Sequence, residues 1–126
     1  MIEFKLDPKG GVPFYRQIID QIRYGIATGL LKVGEQLPTV RALAVQLKVN
    51  LNTVNKAYKE LEIKNILETQ QGTGTFIGAV GVKISEHERK DKLSAISREF
   101  LSIAFSYGFS VEDIVHEIQN LRGGRS

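Results

Sequence analysis

Asn52, Asn55, Lys56 and Lys59 recur three and four residues apart, the spacing that gathers side chains on one face of a helix. A carboxamide presents a donor beside an acceptor, which matches the N6/N7 edge of adenine, and an ammonium reaches guanine or a phosphate. Asn50 and Thr53 stand at the start of that helix, where exposed backbone N–H groups favour an anionic oxygen. Arg41, early in a shorter helix upstream, carries a planar guanidinium that can clamp phosphate or reach a guanine. Gln71, Gly72 and Thr73 form a polar tip further on. Glycine there lets the backbone approach a groove closely, and the neighbouring amide can read minor-groove acceptors or phosphate. Taken together, these groups suit gripping duplex DNA without making or breaking a bond.

Catalytic chemistry has little to work with. The chain holds two histidines, His87 and His116, and no cysteine. No Ser-His-Asp arrangement, metal-protease pair or phosphate-binding loop has the right spacing. Gly72-Thr73-Gly74 lacks the third glycine and following helix of a dinucleotide site. No enzyme activity, cofactor or metal is expected.

The elements that must position the polar face follow from periodicity. A first helix starts near Pro13, carries Phe14, Ile18, Ile19, Ile22 and Ile26 on one face, and stops at Gly29. A connector, Leu31 to Pro38, leads to a short second helix capped by Thr39, with Val40, Leu43, Ala44 and Leu47 inward. After the turn Lys48-Val49-Asn50, a third helix runs to about Asn65 and buries Val54, Ala57, Tyr58 and Leu61. Two helices joined by so short a turn have the outline of a helix-turn-helix. Two β-prone runs between Ile66 and Ile77 flank a glycine-containing tip, a hairpin that makes the unit a winged helix.

A seam at Gly78-Ala79-Val80-Gly81 separates residues 1–80, the DNA-binding part, from residues 81–126. Ser85 and Glu88 read as a capping box. Leu93, Ile96, Phe100, Ile103 and Tyr107 then form a stripe that Gly108 closes. Ser110 caps a last helix with a second stripe, Val111, Ile114, Val115, Ile118 and Leu121, before a frayed tail at 122–126. Two helices in ~40 residues cannot enclose a core alone. Their stripes pack either on the same pair from a second copy, as a two-fold bundle, or back onto their own chain. An antiparallel hairpin turning near Gly108 puts His116 opposite Leu101, far from His87. The expected fold is thus mainly α with a small β-hairpin: a winged helix-turn-helix followed by a two-helix dimerisation hairpin.

Bulk properties set outer limits. At 126 residues, with 42% hydrophobic and 25% charged, the composition is that of a globular domain with at most a short appendage. Charges at Glu3, Lys5 and Asp7 interrupt any signal-peptide core. No apolar run nears the ~20 residues of a membrane span, so a cytoplasmic protein with no membrane partner is expected. The net charge of +3 sits in residues 1–80, with 10 Lys and Arg against 7 Asp and Glu, while the remainder balances at 7 each. That permits an anionic partner without demanding one.

Leu37-Pro38-Thr39-Val40-Arg41-Ala42-Leu43-Ala44 and the run from Val49 to Glu62 resemble the GntR family of bacterial regulators. Val12 to Ile18 resembles that family's opening, Gly29 to Gly34 its first connector, and Gln71 to Ile77 its wing. The Asn50-x-Asn52-Thr53-Val54 string and the short C-terminal part look most like the YtrA-type subfamily. The resemblance implies a homodimer on a palindromic operator, with C-terminal helices that dimerise in place of a large sensing domain. It implies a repressor, often of a membrane-transporter operon that includes its own gene. By position it makes Arg41, Asn52, Thr53, Asn55 and Gly72 DNA contacts. Many relatives carry Arg or Pro where Leu51 stands, and often Arg at Asn55; these departures point to an A·T-richer operator. Two other readings stay open at this point. A winged helix used as a protein-interaction module would show an apolar patch over residues 52–59, and a nonspecific architectural DNA binder would carry more charge than +3. An effector is unknown, and about 45 residues beyond the wing leave little room for a pocket of several hundred Å³ in one subunit.

Overall fold

The computed structural model describes residues 2–123. Contacts divide the chain into two compact units, Met1–Ile84 and Ser85–Ser126. Residues 82–84, which lie beyond the glycine-rich seam, cluster with the first unit.

In the first unit α1 spans Phe14–Ala27 behind Pro13 and buries Ile18, Ile19, Ile22 and Gly25. β1 is the two-residue strand Gln36–Leu37. α2 spans Val40–Leu47, and the Thr39 hydroxyl oxygen accepts the Ala42 N–H at 3.0 Å. The turn after α2 puts Lys48 in the left-handed region, φ 59°, so that the Val49 N–H reaches the Ala44 carbonyl at 3.1 Å. α3 spans Leu51–Ile63 and buries Val54, Ala57, Tyr58 and Leu61. Asn65, also left-handed, turns the chain into β2, Leu67–Gln70, which pairs antiparallel with β3, Gly74–Ile77.

The sheet is larger than the expected hairpin. β1 pairs with β3, Gln36 opposite Phe76 and Leu37 opposite Thr75, giving the order β1-β3-β2. A strand of two residues is too short to show alternation, so the connector hid it.

The core joins α1, α2, α3 and the sheet, with Ile18, Ile22, Leu43, Val54 and Tyr58 at its centre. The Tyr58 hydroxyl donates to the Pro38 carbonyl at 2.7 Å, tying α3 to the start of α2. The N-terminal segment also belongs to this core. Phe4 is buried, with Ile2 and Leu6 packed beside it. Gln17 and Gln21, one helical turn apart on α1, each grip both backbone groups of one arm residue: Gln17 those of Asp7, and Gln21 those of Lys5.

The second unit holds α4, Glu86–Ser106, and α5, Val111–Gly123. The Ser85 hydroxyl oxygen accepts the Glu88 N–H at 3.0 Å. Ser110 and Asp113 cap α5 reciprocally, the Asp113 N–H on the Ser110 hydroxyl and the Ser110 N–H on the carboxylate. Gly108, φ 82°, makes the turn between the helices. α4 and α5 form the two-helix C-terminal region expected from the sequence, and they make little contact with each other within one chain. Ala104 is the one buried residue among the described residues of this unit. The reason is the placement of the apolar groups, whose stripes face outward. Of the tail read as frayed, Arg122 and Gly123 complete α5, and 124–126 lie outside the described residues. Among the described residues no helix is long and apolar enough to cross a membrane.

Candidate nucleic-acid interface

α3 turns its apolar stripe into the core, and that orientation fixes what faces out. Asn52, Lys56 and Lys59 are exposed, while Thr53 and Asn55 are half-buried. Asn52, Asn55, Lys56 and Lys59 line one open depression along the helix, together with Glu60 and Ile63. The four residues singled out by spacing therefore do share a surface.

The site draws on α1 as well. The Lys56 ammonium lies 4.0 Å from the centroid of the Tyr15 ring, and the Arg16 guanidinium carbon lies 5.5 Å from it. The negative ring face holds the ammonium at a defined place. Tyr15 carried no signal in the sequence, because its partner is 41 positions away along the chain.

Asn50 has a defined structural role at the start of α3. Its side-chain oxygen accepts the Asn52 N–H at 2.7 Å, so the carbonyl end caps α3 and the NH₂ end is left to donate outward. Arg41 is exposed at the second residue of α2, just past the Thr39 cap.

The wing presents Gln71, Gly72 and Thr73, all exposed. The Thr73 N–H bonds the Gln70 carbonyl at 2.9 Å and Gly72 has φ 79°, a conformation glycine adopts without strain. Gln36 of β1 donates its side-chain N–H to the Thr73 carbonyl at 3.0 Å. A side chain at Gly74 would collide with that same amide. The third strand, unseen in the sequence, thus braces the wing tip.

The histidines do not meet in a metal site. His87 faces Asp91 one turn on, 3.3 Å away, while His116 sits on α5. Among the described residues no group of three His, Asp or Glu side chains could hold a metal ion.

On the second unit Leu93, Ile96, Phe100, Ile103 and Tyr107 are 51% to 77% exposed, and Val111, Val115, Ile118 and Leu121 are 44% to 60% exposed. Ile114 is half-buried. Phe105 and Phe109, outside both stripes, are 53% exposed as well and were not anticipated.

Residues 14–77, just over half the chain, match the bacterial regulatory proteins of the gntR family. The chain belongs to the GntR family. It is similar to the HTH-type transcriptional repressor YtrA of Bacillus subtilis, 48% identical over 73 residues, which are 58% of this chain and 56% of that relative. The match thus spans little more than half of the relative's length. YtrA from Sulfolobus acidocaldarius, a GntR-family transcription factor, is 34% identical with a TM-score of 0.57, over 79% of this chain and 97% of that one. The AraR DNA-binding domain in complex with an operator is 28% identical with a TM-score of 0.51, over 62% of this chain and 95% of that one. This GntR protein is therefore a winged-helix, DNA-binding transcription regulator.

Proposed function

We propose that this GntR-family chain acts as a homodimeric repressor, seating α3 and the wing of each protomer in the two halves of a palindromic operator. The observation that carries the reading is the outward face of α3. Asn52, Asn55, Lys56 and Lys59 lie together on the second helix of a helix-turn-helix whose apolar side is fully occupied by core. A face for a protein partner would be built mainly from apolar residues, and this one is built from amides, lysines and a glutamate between Leu51 and Ile63 at its ends. Residues 1–80 supply the DNA contacts and residues 81–126 the dimer.

The second unit supports the pairing. Its stripes step by threes and fours, 93, 96, 100, 103, 107 and 111, 114, 118, 121, the heptad seam of helices crossing at about 20°. Two copies bury those stripes in a four-helix bundle. Recognition helices so paired read half-sites about one helical turn apart. Likeness to YtrA-type members supports a transporter operon as the target, including the regulator's own gene, and a cytoplasmic location. No residues are assigned to an effector.

A binding selection from genomic fragments, run at two salt concentrations, tests the reading. Recovery of one palindromic motif that survives moderate salt is expected. No motif, or binding that fades evenly for all fragments as salt rises, would replace it with an architectural role.

A further inference from the structure

Two apolar side chains of α3 stay outside the core: Leu51, its first residue, 44% exposed, and Ile63, its last, 80% exposed. Local folding does not require Leu51. The residue before a helix cap and the fourth residue of the helix normally staple the chain's entry. Here those are Val49, packed against the core, and Val54, fully buried. Leu51 instead lies one turn before Asn55, at the end of α3 next to its cap. That N-terminal end is the one a recognition helix brings to the base edges, while Ile63 is at the far end.

We propose that Leu51 packs on the 5-methyl group of a thymine in the major groove, so that each half-site contains one T·A pair chosen by an apolar contact. The inference rests on the DNA-binding reading above and names a determinant within it. Thymine alone among the four bases carries a methyl on its major-groove edge. Leucine offers no hydrogen bond to the cytosine amino group or the guanine carbonyl, so either in thymine's place would be desolvated without a partner. Asn55, a turn further along, has the amide that pairs with adenine. The two residues thus favour neighbouring A·T pairs by different physics.

The test removes the methyl and nothing else. In the operator recovered by selection, each thymine is replaced in turn by deoxyuridine, and Kd is measured for the full-length wild-type chain, Leu51→Ala and Val45→Ala. Val45 is the control, 73% exposed but on α2. For the wild type, one position per half-site is expected to weaken binding about fourfold on loss of the methyl, which is the ~0.8 kcal/mol of a buried carbon group. Leu51→Ala is expected to bind the thymine and uracil operators equally, and Val45→Ala to keep the fourfold penalty. Mutating that T·A pair to C·G and then methylating the cytosine at C5 is expected to recover part of the lost wild-type affinity. Wild-type indifference to every thymine methyl, or the same penalty in Leu51→Ala, would overturn the assignment while leaving the regulator reading intact. Recovery of no operator at all would remove the regulator reading and this inference with it.

Discussion

At the scale of single residues, the placement of α3 hangs on groups outside its polar face. Tyr58 is 1% exposed, and its hydroxyl supplies a hydrogen to the Pro38 carbonyl. Burial pushes its phenol far above the ordinary range, keeping it a donor in the folded state. Tyr58→Phe leaves that carbonyl without its hydrogen, and a loss of about 1–2 kcal/mol in urea unfolding is expected at pH 8. The pH dependence follows from the direction of the shift. The unfolded chain releases this proton near pH 10 and the folded chain only well above it, so the group's contribution is complete below pH 10 and declines as pH rises beyond it. That decline approaches about 1.4 kcal/mol per pH unit. Tyr58→Phe lacks it, so the gap between the two proteins should narrow at pH 11; a constant gap from pH 8 to 11 would contradict the burial argument. Lys48 makes the opposite case, a side chain held at φ 59° where glycine is the unstrained choice. Lys48→Gly is expected to raise stability by about 1 kcal/mol, measured as a higher urea midpoint at unchanged m-value.

At the scale of elements, legibility followed the length of the pattern. α1, α2 and α3 were readable because each repeats its apolar residues over two turns or more, with Pro13, Thr39 and Asn50 marking the starts. The polar face of α3 was readable for the same reason, being the complement of Val54, Ala57, Tyr58 and Leu61. β1 was not, since two residues carry no period, and neither was its support of the wing through Gln36, whose bond to Thr73 spans 37 positions. The N-terminal arm had a signal that went unused: Ile2, Phe4 and Leu6 alternate with Glu3, Lys5 and Asp7, and the first set packs inward. Two residues of extended chain cover about 6.6 Å and four residues of helix about 6 Å, so Gln17 and Gln21 meet Asp7 and Lys5 almost in step. Gln17 also donates to the Val12 carbonyl at 2.9 Å, which uses both of its amide hydrogens. Gln17→Ala is expected to loosen the arm, lowering stability by about 1 kcal/mol and speeding tryptic cleavage after Lys5 and Lys9. Unchanged cleavage would mean that Phe4 alone anchors the segment.

At the scale of the whole molecule, the two units differ in what they can do alone. The first contains the entire apolar core, from Phe4 to Ile77. The second has Ala104 as its single buried residue among those described and two outward apolar stripes, which fits the partner proposed for its helices. A net charge of +3 supplies little general attraction to DNA, so the proposed dimer would draw its affinity from the specific contacts of two linked recognition helices. Linking makes the second contact intramolecular, and such a gain commonly reaches about 10²–10⁴. Ending the chain at Ile84 is therefore expected to leave a folded monomer by sedimentation, with a melting temperature independent of protein concentration. Its affinity for the palindrome should fall by about that factor, while its preference among half-site sequences is kept, since the α3 face is unaltered. The full chain should instead lose helicity on dilution in step with dimer dissociation. A truncated chain that stays dimeric would move the interface into the first unit. One that stays monomeric yet binds the palindrome as tightly as the full chain would show that pairing contributes nothing to operator recognition.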